Sequence, residues 1–249
     1  MDGADLEQAR YARMRWNVPL SAEHARLLID RLDLRAGQQI TDLGCGWGEL
    51  LLQAVARARD AGTGDGGPVT GTGVDTDAAA LSRGRALAEQ RQLDHQVTFT
   101  RADVGGWRGV ADRTLCVGAA HAFGGAGPAL TALTRVTPPG GRLLFGDGYW
   151  ASPPPAAATA IFGETVPSLP ELLEASRAAG WRSIHLSVAD QREWDDFEST
   201  FRAGRQEWLL AHTDDPRAEQ VRDWLDDRER EYAGVYRGVL GFAYLVLAR

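Results

Sequence analysis

Strand-like and helix-like segments alternate along the first 145 residues of this 249-residue chain. Short apolar runs with turn residues at their ends predict strands, and apolar residues at three- and four-residue spacing predict helices. Such alternation is typical of a doubly wound, mostly parallel sheet, which binds ligands at the carboxyl ends of its strands. The predicted strands are Ile40–Leu43, Thr70–Val74, Val97–Arg101, Thr114–Gly118 and Arg142–Phe145, and the predicted helices are Glu49–Arg59, Asp77–Gln90 and Ala129–Val136.

Two helices are predicted before this alternating region. The first covers Leu6–Arg15, and the second is capped by Ser21 and stopped by Gly37. We interpret residues 1–36 as an N-terminal helical lid, and residues 37–249 as the main domain. The assignment of a lid rests on fold analogy alone.

The last hundred residues are predicted to complete the sheet around a helical cap. A proline-rich, linker-like insertion opens this part, and an apolar strand ends it. Between the last two predicted strands, residues 190–235 form the cap from two charged, amphipathic helices. The segments are Ser152–Pro155, helix Leu169–Ala179, strand Trp181–Val188, helices Asp190–Ala211 and Pro216–Tyr232, and strand Val239–Leu247.

The composition favours a cytoplasmic protein that acts on small molecules. The net charge is −7, so the chain lacks the broad positive field that attracts nucleic acids or anionic membranes. The N-terminus resembles no targeting signal, and the longest apolar run, Val239–Ala248, is too short to span a bilayer. The two cysteines and five histidines show no metal-ligand spacing, so no metal site is predicted. The sequence does not indicate an oligomeric state.

Three glycines follow the first predicted strand, at residues 44, 46 and 48. Their GxGxG spacing differs from the GxGxxG of dinucleotide-binding loops, which disfavours NAD. Asp42 lies just before this loop, where its charge would repel a pyrophosphate and attract a ligand with an ammonium and a sulfonium. S-adenosylmethionine carries both cations. Asp75 and Asp103, at the next two strand ends, are placed to accept hydrogen bonds from a ribose and from an adenine amino group.

Four motifs in this region resemble those of the class I S-adenosylmethionine-dependent methyltransferases. They occur in the family's order and cover roughly residues 38–147. The segment Ile40–Glu49 is similar to the family's glycine motif, and Gly73–Asp77 to its acidic second-strand motif. Ala102–Val104 resembles the adenine-contacting segment, and Pro138–Leu144 the turn before the fifth strand.

This resemblance implies a seven-stranded sheet with the last strand antiparallel, and S-adenosylmethionine as cofactor. It places the glycine loop around the methionine part of the cofactor, Asp75 at the ribose and Asp103 with Val104 at the adenine. The complete set of cofactor-binding residues that we expect is Asp42, Gly44, Cys45, Gly46, Gly48, Asp75, Thr76, Asp103, Val104 and Gly118.

Two residues are candidates for moving a proton during methyl transfer. His121 follows the fourth strand, where an imidazole can act as a base near neutral pH. The alternative is that His121 only packs against the cofactor or binds substrate. Asp147, after the fifth predicted strand, is the second candidate, as a proton acceptor or as a partner for a substrate amine.

Aromatic residues supply further substrate-binding candidates. Tyr149 and Trp150 are expected to follow the fifth strand and to form a wall beside a ligand, while Trp194 lies in the cap. The spacing of Trp194, Phe197, Phe201 and Trp208 favours a stripe that packs on the core. Tyr11, Trp16 and His24 would belong to the lid. The substrate candidates are therefore Tyr11, Trp16, His121, Tyr149, Trp150 and Trp194.

The favoured function is methyl transfer to an oxygen or nitrogen of a small metabolite. The expected context is specialised metabolism. A second hypothesis keeps the cofactor but directs the methyl group to carbon or lipid, because residues 44–48 also resemble the loop of cyclopropane fatty acid synthases. A third is an NAD(P)-dependent oxidoreductase, and a fourth is a binding protein that has lost its chemistry.

Overall fold

The computed structural model describes Leu6, Ala9 and residues 11–62 and 66–249. In this part of the chain, seven strands form one sheet in the order β3-β2-β1-β4-β5-β7-β6. All neighbouring pairs are parallel except the two that involve β7. The strands are β1 (Gln39–Leu43), β2 (Thr70–Asp75), β3 (Val97–Arg101), β4 (Arg113–Val117), β5 (Arg142–Trp150), β6 (Arg182–Val188) and β7 (Leu240–Ala248).

Helices cover both faces of the sheet. One core layer lies between the sheet and α1, α2 and α3, and the other lies between the sheet and α4 and α6. β7 supplies both layers because its side chains alternate: Phe242 and Tyr244 enter the first, Ala243 and Leu245 the second. The helices are α1 (Ala22–Arg31), α2 (Glu49–Asp60), α3 (Ala78–Gln90), α4 (Ala126–Leu133), α5 (Ala156–Phe162), α6 (Leu169–Ala178), α7 (Gln191–Ala211) and α8 (Ala218–Glu231).

This topology confirms the predicted doubly wound sheet, including the antiparallel last strand. Side-chain caps start several helices where the sequence placed them. Ser21 accepts a hydrogen bond from the His24 N–H at the start of α1, and Asp77 accepts from Ala79 and Ala80 at the start of α3. The sequence prediction therefore succeeds where a local cap or a change of hydrophobic period marks the boundary.

Four local predictions were wrong. Tyr11–Arg13 form a turn, so the predicted first helix does not extend to Arg15; most of the rest of that helix lies outside the described residues. β5 extends to Trp150 instead of ending at Phe145, because β7 pairs with it along its whole length. α4 begins at Ala126, three residues before the predicted start at Ala129. The proline-rich insertion, predicted to be linker-like, contains the helix α5. Four glycines among the eight residues Ala61–Pro68 predict a flexible surface loop, and positions 63–65 of this loop lie outside the described residues.

The helical cap before β7 is held together by one largely buried ion pair and one exposed ion pair. Glu198 on α7 is fully buried and accepts hydrogen bonds from Arg228 Nε (3.0 Å) and Nη2 (2.8 Å) and from the Tyr236 hydroxyl (2.8 Å). Asp195, one turn earlier, accepts from the Tyr232 hydroxyl (2.6 Å) and from Arg237 Nε (2.9 Å). These contacts fix α7 against α8 and against the π-helical turn Tyr232–Tyr236.

Removal of the Glu198 carboxylate should therefore destabilise the fold. We expect Glu198→Ala to lower the free energy of unfolding by about 3 kcal/mol, because it leaves a largely buried guanidinium and a buried hydroxyl without their acceptor. Urea denaturation followed by circular dichroism measures this loss. The control is Glu174→Ala, which breaks the exposed ion pair with Arg177 and should change little. Equal effects of the two variants would contradict the assigned role of Glu198.

Candidate active site

A cavity of about 280 Å³ lies at the carboxyl ends of the first four strands. It sits beside the junction of β1 and β4, where the strand order reverses, and this is the place where open α/β sheets bind ligands. The cavity is lined by Asp42 from β1, Asp75 from β2, Asp103 after β3 and Gly118 after β4. Residues predicted from separate motifs therefore surround a single space.

The glycine loop between β1 and α2 forms the floor of this cavity. Gly44 has a φ of +78°, and a Cβ atom there would lie 2.2 Å from the Cβ of Ala119, so only glycine fits. Gly46 has a φ of +54° with no atom within 4 Å of an added Cβ, so its backbone borders open space. The Gly48 position is different: it lies outside the cavity lining and packs against the Phe99 ring.

Asp42 is buried at the end of β1, with 5% of its surface exposed. Burial, and then the nearby charge of Asp75, raise its pKa to about 7. None of the described residues donates a hydrogen bond to its carboxyl group. A buried acid without a donor favours a cationic or hydrogen-bond-donating ligand in the adjoining cavity.

Asp75 links the second strand to the glycine loop. Its Oδ2 accepts from the Gly46 N–H (2.7 Å), and its Oδ1 accepts from the Asp77 N–H (2.9 Å). Each oxygen keeps a further lone pair for a ligand. Asp103 accepts from the Gly105 N–H (3.0 Å), and the neighbouring Val104 is buried against the cavity. Thr76 and Cys45 also line the cavity, and burial raises the pKa of the Cys45 thiol far above its usual range, which makes it a poor nucleophile.

His121 lies on the cavity wall within a short 3-10 helix, Ala120–Phe123, directly after β4. Asp147 lies on β5 and does not line the cavity. Burial raises the pKa of Asp147 to about 6, while the Gly148 N–H (2.9 Å) and the charge of His121 act to lower it. The structure therefore brings the two candidate acid–base groups close enough to interact electrostatically.

The segment before α1 forms a wall that the sequence only partly indicated. Tyr11, Trp16, Asn17 and Val18 line the cavity. Two residues of the main domain hold this segment by backbone contacts that no sequence pattern signals. The Arg83 guanidinium donates to the carbonyl oxygens of Tyr11 (3.0 Å) and Met14 (2.8 Å) and stacks over the Trp47 ring, while Trp47 Nε1 donates to the Arg15 carbonyl (2.7 Å).

Three of the predicted substrate residues do not line this cavity. Tyr149 and Trp150 lie within β5, not after it as predicted, and they point to opposite faces of the sheet: Tyr149 is buried in one core layer, and Trp150 packs on Phe162 near the other. Trp194 is buried in the core beside Phe197, and its indole N–H has no acceptor among the described residues. The lining residues that sequence reasoning missed include Asn17, Val18, Trp47, Glu49, Leu50, Asp77, Ala80, Val117, Ala119 and Ala122.

The described residues contain no cluster of three or more histidine, cysteine, aspartate or glutamate side chains suited to a metal ion. In the same part of the chain, every helix is too short or too polar to cross a bilayer.

The raised pKa of Asp42 predicts a pH-dependent cost to stability. An unfolded aspartate titrates near pH 4, so between about pH 4 and pH 7 the unfolded chain is ionised while folded Asp42 keeps its proton, and stability falls as pH rises. Asp42→Asn removes this titration. We expect the variant to gain at least about 1.4 kcal/mol relative to wild type between pH 4.5 and pH 8, the value of one pKa unit, as measured by urea denaturation. Exposed Asp60→Asn serves as the control, and a difference that does not change with pH would refute the prediction.

Comparison with known proteins identifies the family of the chain. A family model described as a methyltransferase domain matches residues 34–204. The chain is 30% identical over 236 residues to YjhP of Escherichia coli (strain K12), a protein described as uncharacterized, and 92% of each chain is covered.

Two solved structures are similar over nearly the whole chain. A SAM-dependent methyltransferase from Geobacter sulfurreducens has a TM-score of 0.85 at 29% identity, with 97% of this chain and 96% of that chain covered. A second, from Thiobacillus denitrificans, has a TM-score of 0.84 at 30% identity and full coverage of both chains. Both of those proteins are in complex with S-adenosyl-L-homocysteine. The chain belongs to the class I S-adenosylmethionine-dependent methyltransferase family.

Proposed function

We propose that the protein transfers the methyl group of S-adenosylmethionine to an oxygen or nitrogen of a small metabolite, and that the cavity at β1–β4 holds the cofactor. The observation that carries the proposal is the convergence of Asp42, Asp75 and Asp103 on one cavity from three successive strand ends. Taken in chain order, these three carboxyl groups suit a ligand with a cationic end, then a diol and then an aromatic amine. The two similar proteins with bound S-adenosyl-L-homocysteine support the same cofactor.

The residues present fit the cofactor on physical grounds. The open space at Gly46 leaves room for a ligand to approach the backbone closely. The buried carboxyl of Asp42 is suited to an ammonium or sulfonium, either of which would stabilise its ionised form. Asp75 has acceptor capacity for the ribose hydroxyls, and Asp103 with Val104 offers a polar and an apolar contact for the adenine. Thr76 and Gly118 would complete the contacts to the cofactor.

The chemistry requires alignment and, for a hydroxyl or an ammonium acceptor, removal of a proton. S-adenosylmethionine, when bound, supplies an electrophilic methyl group activated by its positive sulfur. The chain then has to hold the acceptor in line and keep water out, which the wall of Tyr11, Trp16 and Val18 favours. We assign His121 as the base that takes the acceptor proton at a ring nitrogen, and Asp147, in its ionised form, as the carboxylate whose charge stabilises the resulting imidazolium.

The alternative functions that keep this cofactor differ in which atom, if any, accepts the methyl group. Transfer to carbon or to a lipid would use the same cofactor site with a different acceptor, so screening of acceptors with labelled S-adenosylmethionine decides between them. A cofactor-binding protein without chemistry would bind the cofactor and label no acceptor. The dinucleotide hypothesis is disfavoured by the carboxyl of Asp42 beside the loop, because a pyrophosphate there would be repelled.

Cofactor identity is tested first by thermal unfolding with S-adenosylhomocysteine, NAD or NADP. At about 100 times its dissociation constant, a ligand of the native state adds roughly 2.7 kcal/mol, which raises the melting temperature by several degrees. We expect this shift with S-adenosylhomocysteine only. Asp75→Ala should abolish most of it, and Asp75→Asn, which keeps one acceptor oxygen, should retain more. A shift with a dinucleotide alone would overturn the proposal.

The base assignment predicts a separation of turnover from cofactor binding. Once an acceptor is found, we expect His121→Ala to lower kcat by roughly 100-fold or more, because the proton loses its acceptor, while the S-adenosylhomocysteine thermal shift stays near wild type. His95→Ala, at an exposed position outside the cavity lining, is the matched control. Unchanged turnover in His121→Ala would leave His121 as a packing or substrate-binding residue.

A further inference from the structure

A second constellation of reactive side chains lies outside the cofactor cavity, at the edge of the sheet. The His24 ring on α1 bridges Ser187 on β6 and Glu193 on α7. His24 Nε2 lies 2.6 Å from Ser187 Oγ, and His24 Nδ1 lies 3.0 and 3.2 Å from the two carboxylate oxygens of Glu193. Three separate elements therefore connect a hydroxyl, an imidazole and a carboxylate in one chain of hydrogen bonds.

The roles of the three groups are distinct. Glu193 also accepts from the Ser21 N–H (2.8 Å) and the Asp190 N–H (3.0 Å), so its carboxylate is fixed in place. Although burial raises it, hydrogen bonds from His24 and Ser21 bring the pKa of Glu193 down to about 2. An ionised carboxylate at Nδ1 keeps the proton on that nitrogen, which leaves Nε2 free to accept the proton of Ser187.

Burial decreases from the carboxylate to the hydroxyl. The Glu193 and His24 side chains are 8% and 12% exposed, and Ser187 is half-buried on the strand at the end of the sheet. The Tyr244 ring packs edge-on against His24 and restricts the imidazole. The remaining four histidines have no comparable arrangement: none of them is hydrogen-bonded to a hydroxyl in the described residues.

The strand edge supplies a donor beside the serine. The Ala189 N–H donates to Phe242 O, and Ser187 pairs with Tyr244, so alternate residues of this strand bond toward β7. The intervening Val188 N–H therefore points away from β7, toward the open edge of the described sheet. A carbonyl oxygen of a compound that approaches Ser187 from this edge would meet a backbone donor from the next residue.

We propose that Ser187, His24 and Glu193 form a second, independent catalytic site that transfers acyl groups, with small activated esters as its substrate class. Ser187 Oγ attacks the ester carbonyl as its proton passes to His24 Nε2. The carbon–oxygen bond to the leaving alcohol then breaks, and that alcohol takes the proton from His24. Water attacks the acyl-serine with His24 again accepting a proton, which releases a carboxylic acid and restores the serine.

The direct test is covalent labelling of the purified protein with a fluorophosphonate, together with hydrolysis of p-nitrophenyl acetate. We expect the label on Ser187 by peptide mapping, and a loss of labelling and of ester turnover of at least tenfold in Ser187→Ala and in His24→Asn. Ser183→Ala, on the same strand, is the matched control and should keep both.

Other outcomes overturn the proposal. No label, a label on another residue, or a label on Ser187 that does not require His24 would show that the three groups only fasten α1 and α7 to β6. Ser187→Ala removes one oxygen atom, and an unchanged circular dichroism spectrum shows that the variant is folded. Because the cofactor cavity does not contain these residues, failure of this proposal leaves the methyltransferase assignment unaffected, and the reverse also holds.

Discussion

The burial of an acidic side chain at the end of β1 is the constraint around which the site is arranged. Asp42 is the next-to-last residue of β1, an inner strand with β2 on one side and β4 on the other, and its side chain is buried there. The carboxyl group is costly there unless it keeps its proton or meets a positive charge. The backbone of Gly44 packs closely on Ala119, and the backbone of Gly46 borders open space. Both glycines line the cavity that Asp42 also lines.

Much of this arrangement could be predicted from sequence because it is encoded locally. The alternation of strand-like and helix-like hydrophobic patterns predicts the parallel sheet. The aspartates near the ends of the first three strands mark where those strands stop. Asp42, Asp75 and Asp103 had to lie together once three parallel strands were assigned, since parallel strands end at the same edge. The glycine positions were equally clear, because a tight turn between strand and helix requires residues without a Cβ atom.

The rest depends on contacts between distant parts of the chain. β5 runs on to Trp150 because β7, about a hundred residues later, pairs with it throughout, and this moved Tyr149 and Trp150 into the sheet. Arg83 and Trp47 hold the segment before α1 by hydrogen bonds to its backbone carbonyl groups. Because every residue has such a carbonyl group, these contacts produce no recognisable sequence pattern. His24 and Ser187 are likewise 163 residues apart in the sequence, and no local sequence pattern predicts their hydrogen bond.

The position of β7 has a consequence for the way the chain reaches its final form. β7 follows β6 along the chain but lies between β5 and β6 in the sheet, so β6 has no strand to pair with until β7 has left the ribosome. Among the described strands, β6 is therefore joined to the sheet through the nine residues of β7, Leu240–Ala248. A chain without this segment would lose β7 and the pairing of β6, the strand that directly precedes the first helix of the cap, whereas β5 would stay paired with β4.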